Sequence, residues 1–411
     1  MRTLLTAVAA GILLCIAAVS CTGTSASAET PAIDSALLAD CARRYRAFFG
    51  DDPFDSPGRL RTRTDDYRRY RLLAACAELA YRPGESADID ERRRDTLLTE
   101  RLLALGAEPL AAGSSDSLSR SIASLVEKAC RRTPGFKARA FRTANGAYIL
   151  SFAGTEPEAA DIITDIDGAF SITEPQNAAA LRLTRDVSDA LKRAGLGKER
   201  LMLSGHSLGG RLASVGSIVY GIDAVAYNPA NIPIDLHKQL ADSAPLADNA
   251  ERHLVRIHSR GDELTGGMGL GDKLRPFVPG AAAMLESGRR WLDDTTSMVA
   301  VKSAISAVPE IASAADAVLD IFGFGTPSKG NASPSAGASA TRITLALLKN
   351  MRRYNVNAAD LENPIFYTYT GRQVTPTPGS GGHSMAPLAD QIDSIATFIE
   401  YLDKARLSAQ F

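Results

Sequence analysis

Residues 201–220 constrain this chain more than any other stretch. Leu201-Met202-Leu203 runs into Ser204-Gly205-His206-Ser207-Leu208-Gly209-Gly210 and then into a helical apolar pattern ending at Tyr220. A Gly-x-Ser-x-Gly pattern between an apolar strand and a helix implies a sharp strand-to-helix turn. Glycines two positions to either side of the serine remove side chains that would strike the neighbouring strand and helix. Such a turn presents the Ser207 hydroxyl at the strand end. It also aims the Leu208 amide, with the positive end of the helix, at one point in space. The bland alternative, in a chain with 33 glycines, is a glycine-rich turn around a buried serine.

The same rhythm continues on both sides. Residues 137–142 and 147–152 flank Thr143-Ala144-Asn145-Gly146, a hairpin signal in which Asn-Gly supplies the positive-φ turn. A helix from about residue 177 to 194 carries Leu183, Val187, Leu191 and Ala194 on one face and stops at Gly195. Strands at 201–203, 224–227 and 254–257 alternate with it and with a helix at 208–220, spacing that implies parallel pairing. The expected fold class is α/β, a mostly parallel sheet with helices on both faces. Ahead of it, residues 31–130 read as a helical segment: Tyr70, Leu73, Ala77 and Ala80 share one stripe, and Leu118, Ile122, Leu125 and Ala129 another.

A serine hydroxyl needs a base, and the base needs a group that fixes its tautomer. In the chain order Ser, acid, His that accompanies this turn, the five histidines reduce to one. His206 lies inside the turn and points away from the serine's side, and His237, His253 and His258 precede the expected acid. His383, in the loop Gly379-Ser380-Gly381-Gly382-His383 before a final helix with Leu388, Ile392, Ile395, Ile399 and Leu402, is the expected base. Asp262, a few residues past the strand at 254–257, is the expected acid, with Glu263 and Asp272 as rivals. The interval of about 120 residues between Asp262 and His383 is too long for a simple connection and must hold structure of its own. Residues 265–360 are expected to be a large helical insertion, either a lid or a satellite helical layer. Residues 326–340, rich in Ser, Gly, Pro and Ala, read as a linker.

Three blocks together resemble the class 3, fungal-type lipase family of the α/β-hydrolase superfamily. They are residues 74–81, ending in Ala80-Tyr81; Ser151-Phe152-Ala153-Gly154-Thr155 followed by Asp161 to Asp167; and the turn Gly205 to Gly210. The resemblance covers roughly residues 65–262 and the last forty. The chain departs from it in Ala153, where Arg is usual, in Ile162, where Trp is usual, and in the long insertion. What the resemblance implies is an α/β-hydrolase-like sheet and a second oxyanion donor at Thr155 beside Leu208. From the residues alone, Thr155 reads as a strand-end turn residue. The activity it implies is hydrolysis of lipid carboxylic esters by Ser207, His383 and Asp262, of triacylglycerol lipase or phospholipase A1 type, without metal or organic cofactor. A surface lipoprotein using the hydrolase scaffold as a binding module is the alternative from another class.

The amino-terminal residues read as an export signal: Arg2, an apolar run from Leu4 to Val19, then small residues. Two cleavage sites compete. Ala18-Val19-Ser20-Cys21 resembles a lipoprotein lipobox, leaving residues 1–20 as signal and Cys21 lipidated. Ala26-Ser27-Ala28 fits ordinary cleavage after residue 28. One hydrolase domain over residues 31–411 is expected to follow, exported and either membrane-anchored or secreted, meeting membrane surfaces through the anchor or the apolar insertion. With a formal net charge of −1, nucleic acid is not an expected partner. The arginine-rich stretch from Arg59 to Arg71, with Asp65 and Asp66 inside it, reads as a solvated helix face. Cys41, Cys76 and Cys130 read equally as buried apolar residues or as partners in a disulfide. The composition leaves the oligomeric state open.

Overall fold

The computed structural model describes residues 33–81, 89–154, 172–259, 371–374 and 385–408. In chain order these form α1 (Ser35–Phe49), α2 (Pro57–Ala80), α3 (Ile89–Ala104), β1 (Ala107–Pro109), α4 (Ser117–Arg132), β2 (Ala138–Thr143) and β3 (Tyr148–Phe152). Then come α5 (Pro175–Arg193), β4 (Leu201–His206), α6 (Leu208–Tyr220), β5 (Asp223–Tyr227), α7 (Ile234–Asp242), α8 (Ala244–His253), β6 (Leu254–Ile257), β7 (Arg372–Val374) and α9 (Met385–Ser408). Among the described residues no helix is long and apolar enough to cross a membrane.

The seven strands lie side by side in chain order. β1, β2 and β3 pair antiparallel, and β3 through β7 are parallel. The β2–β3 hairpin turns where the Asn-Gly signal stands, with Arg142 opposite Tyr148, although only Gly146 takes the positive φ, at 79°. The period of two along the strands sorts their side chains into two cores. Phe141, Ile149, Val225, Tyr227, Val255 and Ile257 pack with α1, α2 and α9 on one face. Ala140, Leu150, Phe152, Leu203, Ala224 and Ala226 pack with α4, α5 and α6 on the other. The result is a mostly parallel α/β sheet covered by helices on both sides, as the strand-helix alternation predicts.

Several details differ from the sequence reading. β4 extends to His206 rather than stopping at Leu203, and α5 buries Ala190 while Ala194 is exposed. β1 interrupts the amino-terminal helical segment, and α7, α8 and β7 are elements that periodicity did not signal. The arginine face of α2 is only partly solvated. Arg63 pairs with Asp51, and Arg71 lies between Glu400 and Asp393 of α9. Cys41 and Cys76 are buried free thiols and Cys130 a half-buried one, consistent with the apolar reading. The export segment, Cys21, residues 265–360 and the rivals Glu263 and Asp272 lie outside the described residues.

Candidate active site

β4 ends at His206, α6 starts at Leu208, and Ser207 alone makes the junction. Its backbone sits at φ 58°, ψ −124°. That region is sparsely populated by any residue with a side chain, and holding one there costs on the order of 1–3 kcal/mol. Hydrogen bonds on both sides of the residue offset that cost. The Ser207 N–H donates to the Tyr227 carbonyl at 3.0 Å. The Ser207 carbonyl accepts from the N–H groups of Arg211 at 3.1 Å and Ala230 at 3.0 Å. One peptide plane is thus anchored to β5 and the next to the helix and to the loop after β5.

Close packing explains the glycines. A Cβ on Gly205 would fall 2.2 Å from the Gly209 carbonyl oxygen, and one on Gly209 would fall 2.1 Å from the Phe152 oxygen of β3. Both obstacles are backbone, which cannot rotate aside, so strand, turn and helix approach this closely only without side chains. Leu208 is the first residue of α6, where backbone amides have no acceptor within the helix. Ser207 itself is mostly buried, 9% exposed.

A second strand end meets the turn. The Cβ position of Gly154, two residues past β3, lies 3.0 Å from Ser207 Cβ and 2.7 Å from the His206 carbonyl oxygen. The Tyr81 hydroxyl, at the end of α2, is 2.7 Å from His206 Nδ1. The three sequence blocks around Tyr81, Gly154 and Ser207 therefore converge at one place. Thr155, the next residue after Gly154, lies outside the described residues, as do Asp262 and His383.

The remaining described histidines occupy distinct environments. His253 sits at the opposite, amino-terminal end of the parallel strands, where β6 begins, with Nδ1 2.7 Å from Asp223 Oδ1. His258 follows β6 and its Nε2 meets Gln373 of β7 at 2.5 Å. His237 is buried on α7, and its pKa is pushed down to about 4 by burial and by the positive charge of Arg256. Arg256 is fully buried in β6 and donates to the Pro229 carbonyl at 3.2 Å. It thus braces the loop whose Ala230 amide holds Ser207. Sequence reasoning missed this brace, since a mid-strand arginine in Leu-Val-Arg-Ile looks outward-facing. Among the described residues no group of three or more His, Cys, Asp or Glu is arranged to hold a metal.

Fold and site together define an α/β protein with a serine held on a strained strand-to-helix turn at the carboxyl end of a parallel sheet. Residues 110–266, which contain β2 through β6 and the whole turn, match the model of a family described as a Tle-like phospholipase domain, "phospholipase-like". The match supports a lipase or phospholipase relationship and does not single out the class 3 lipases. No curated protein matches the chain.

Proposed function

We propose that this chain is a serine hydrolase that cleaves carboxylic esters of lipids, with phospholipids favoured over triacylglycerols. The single observation that carries the reading is the Ser207 backbone at φ 58°, ψ −124°, held by hydrogen bonds on both sides. A strained conformation with this much support at a strand end is a feature of sites rather than of ordinary turns. The phospholipase-like match over the same residues supports lipid ester hydrolysis.

In this mechanism Ser207 Oγ attacks the ester carbonyl while His383 takes its proton. The tetrahedral oxyanion is held by the amides of Leu208 and Thr155. The leaving alkoxide takes the proton from His383 as the ester bond breaks, and a water, deprotonated by the same imidazole, releases the acid and regenerates Ser207. Asp262 fixes the imidazole orientation. Chain geometry supports these assignments: the polypeptide leaves β6 at Ile257 and β7 at Val374 from the same carboxyl end of the sheet at which β4 delivers Ser207. Parallel strands are about 4.8 Å apart, so Asp262 must bridge about 10 Å with five residues, and His383 about 14 Å with nine. Both spans are within reach of the chain.

Export, by either signal cleavage, belongs to the same proposal, since the substrate would then be envelope or external lipid. Mass spectrometry of the mature amino terminus distinguishes a lipidated Cys21 from a start at Glu29. The central test is covalent labelling of the purified chain by a fluorophosphonate, together with release of fatty acid from phosphatidylcholine, phosphatidylglycerol and triolein. Labelling that Ser207→Ala abolishes, with release from phospholipid exceeding release from triolein, is expected. A well-folded protein that takes no label would favour the binding-module reading instead.

A further inference from the structure

We propose that Tyr81 is a positioning residue of the nucleophile turn, its hydroxyl holding the peptide unit that precedes Ser207 and filling the gap between that unit and Gly154. The inference rests on the proposed role of Ser207 and adds a residue from a different element, 126 positions earlier in the chain.

Three contacts meet at one oxygen. Tyr81 Oη is 2.7 Å from His206 Nδ1 and donates to the His206 carbonyl at 3.3 Å. It also lies 2.1 Å from where a Gly154 Cβ would stand. A phenol has one proton and can accept as well as donate. The arrangement that satisfies both His206 contacts has the Nδ1–H donating to Oη and the Oη–H donating to the carbonyl. The same His206–Ser207 peptide unit donates its N–H to the Tyr227 carbonyl from the other side. Its plane is therefore clamped between α2 and β5. The Ser207 φ angle is the rotation that follows that plane, so whatever clamps the plane sets where Oγ points.

The third contact links the clamp to the neighbouring strand. Gly154 has no side chain, and the space it leaves is occupied by the Tyr81 hydroxyl, which sets how closely the end of β3 approaches Ser207. A Phe ring at position 81 keeps the packing against the imidazole, with centroids 5.8 Å apart in the native pair, and deletes only the oxygen. If Tyr81 were merely a helix-end packing residue, that deletion would lower stability and leave turnover by folded protein alone.

The experiment uses the full chain as wild type, Tyr81→Phe, His206→Asn, His206→Phe and the double variant Tyr81→Phe/His206→Phe. The readouts are the second-order rate of fluorophosphonate labelling, kcat and KM for p-nitrophenyl butyrate, and Tm. The expected result for Tyr81→Phe is a fall of about tenfold in labelling rate and kcat, the size of one buried hydrogen bond, with KM within twofold. His206→Asn, whose amide reaches the position of Nδ1, is expected to retain most of the rate. His206→Phe loses the Nδ1 contact but keeps the Oη–H bond to the backbone carbonyl, so it is expected to lose part of the rate, less than Tyr81→Phe, and the double variant to lose no more than Tyr81→Phe alone. If Tyr81→Phe does not fold, the contrast between the two His206 variants decides the matter. Wild-type kcat in Tyr81→Phe, or equal rates in the two His206 variants, overturns the proposal while leaving the Ser207 reading intact. Absence of labelling in the wild type overturns both.

Discussion

The side chain of Asn228 holds Ser259 at two points: its Oδ1 accepts from the Ser259 N–H at 2.7 Å and its Nδ2 donates to Ser259 Oγ at 3.1 Å. Both residues are buried, and Asn228 takes a positive φ of 39° that asparagine tolerates better than most residues. Asn228 opens the loop whose Ala230 amide holds the Ser207 carbonyl, and Ser259 is the second residue past β6. The pair thus ties the Ser207 turn to the strand end from which the chain runs on to Asp262.

Asn228→Ala removes both bonds and strands the Ser259 amide. A loss of about 2–4 kcal/mol in unfolding free energy is expected by urea denaturation. Ser259→Ala, which costs one bond and leaves the backbone contact, is expected to lose about 1 kcal/mol. Equal losses in the two variants would contradict the bidentate arrangement.

Gly209→Ala sets a methyl group 2.1 Å from a backbone oxygen of β3. Overpacking against backbone costs at least about 1–3 kcal/mol, and the turn must shift to relieve it. Fluorophosphonate labelling of any folded fraction is expected to fall by two orders of magnitude or more. Gly58→Ala, in the exposed first turn of α2 with nothing within 4 Å of the new Cβ, serves as the control and is expected to be neutral or stabilising by up to about 0.5–1 kcal/mol.

His237 makes stability depend on pH in a defined window. Its folded pKa of about 4 lies below the 6.5 of an ordinary histidine, so the unfolded chain binds the proton first as pH falls. Stability from this group is complete above about pH 6.5, falls as pH drops from there toward 4, and changes no further below that. The full effect is at most about 3 kcal/mol. Denaturation of His237→Gln at pH 7 and pH 4.5 is expected to show a smaller difference between the two pH values than the wild type shows. The carboxylates held below their ordinary range, such as Asp51 beside Arg63, lose their contribution mainly below the window, and comparing the variant with the wild type cancels what overlaps.

Arg71 and Arg68 both reach Glu400 of α9 at 3.0 Å, but their side chains are 16% and 45% exposed. Arg71 also approaches Asp393 at 3.6 Å. Removing the more buried cation leaves Glu400 half-buried with weaker compensation. Arg71→Ala is expected to cost about 1–3 kcal/mol and Arg68→Ala less than about 1 kcal/mol, the former effect persisting in 0.5 M NaCl. Limited proteolysis of α9 offers a second check, with cleavage rising in Arg71→Ala first.

What the sequence by itself determined about this protein was the set of features whose causes are local. The turn around Ser207 was legible because backbone that sharp demands glycines at fixed offsets, and the β2–β3 hairpin because Gly146 must adopt a positive φ. The α9 stripe from Leu388 to Leu402 was legible because burial on one helix face repeats every 3.6 residues, and all five positions are buried. Only the tertiary structure decided the rest. β7 is three residues, Arg-Gln-Val, with no alternation to detect, and it is a strand because β6 offers it a free edge. Arg71 looks solvated until a helix more than 300 residues later covers it, and the Tyr81 hydroxyl acquires its partner from 125 residues away. Contacts of that range leave no period or spacing in the chain, because their energy comes from side chains that folding alone brings together.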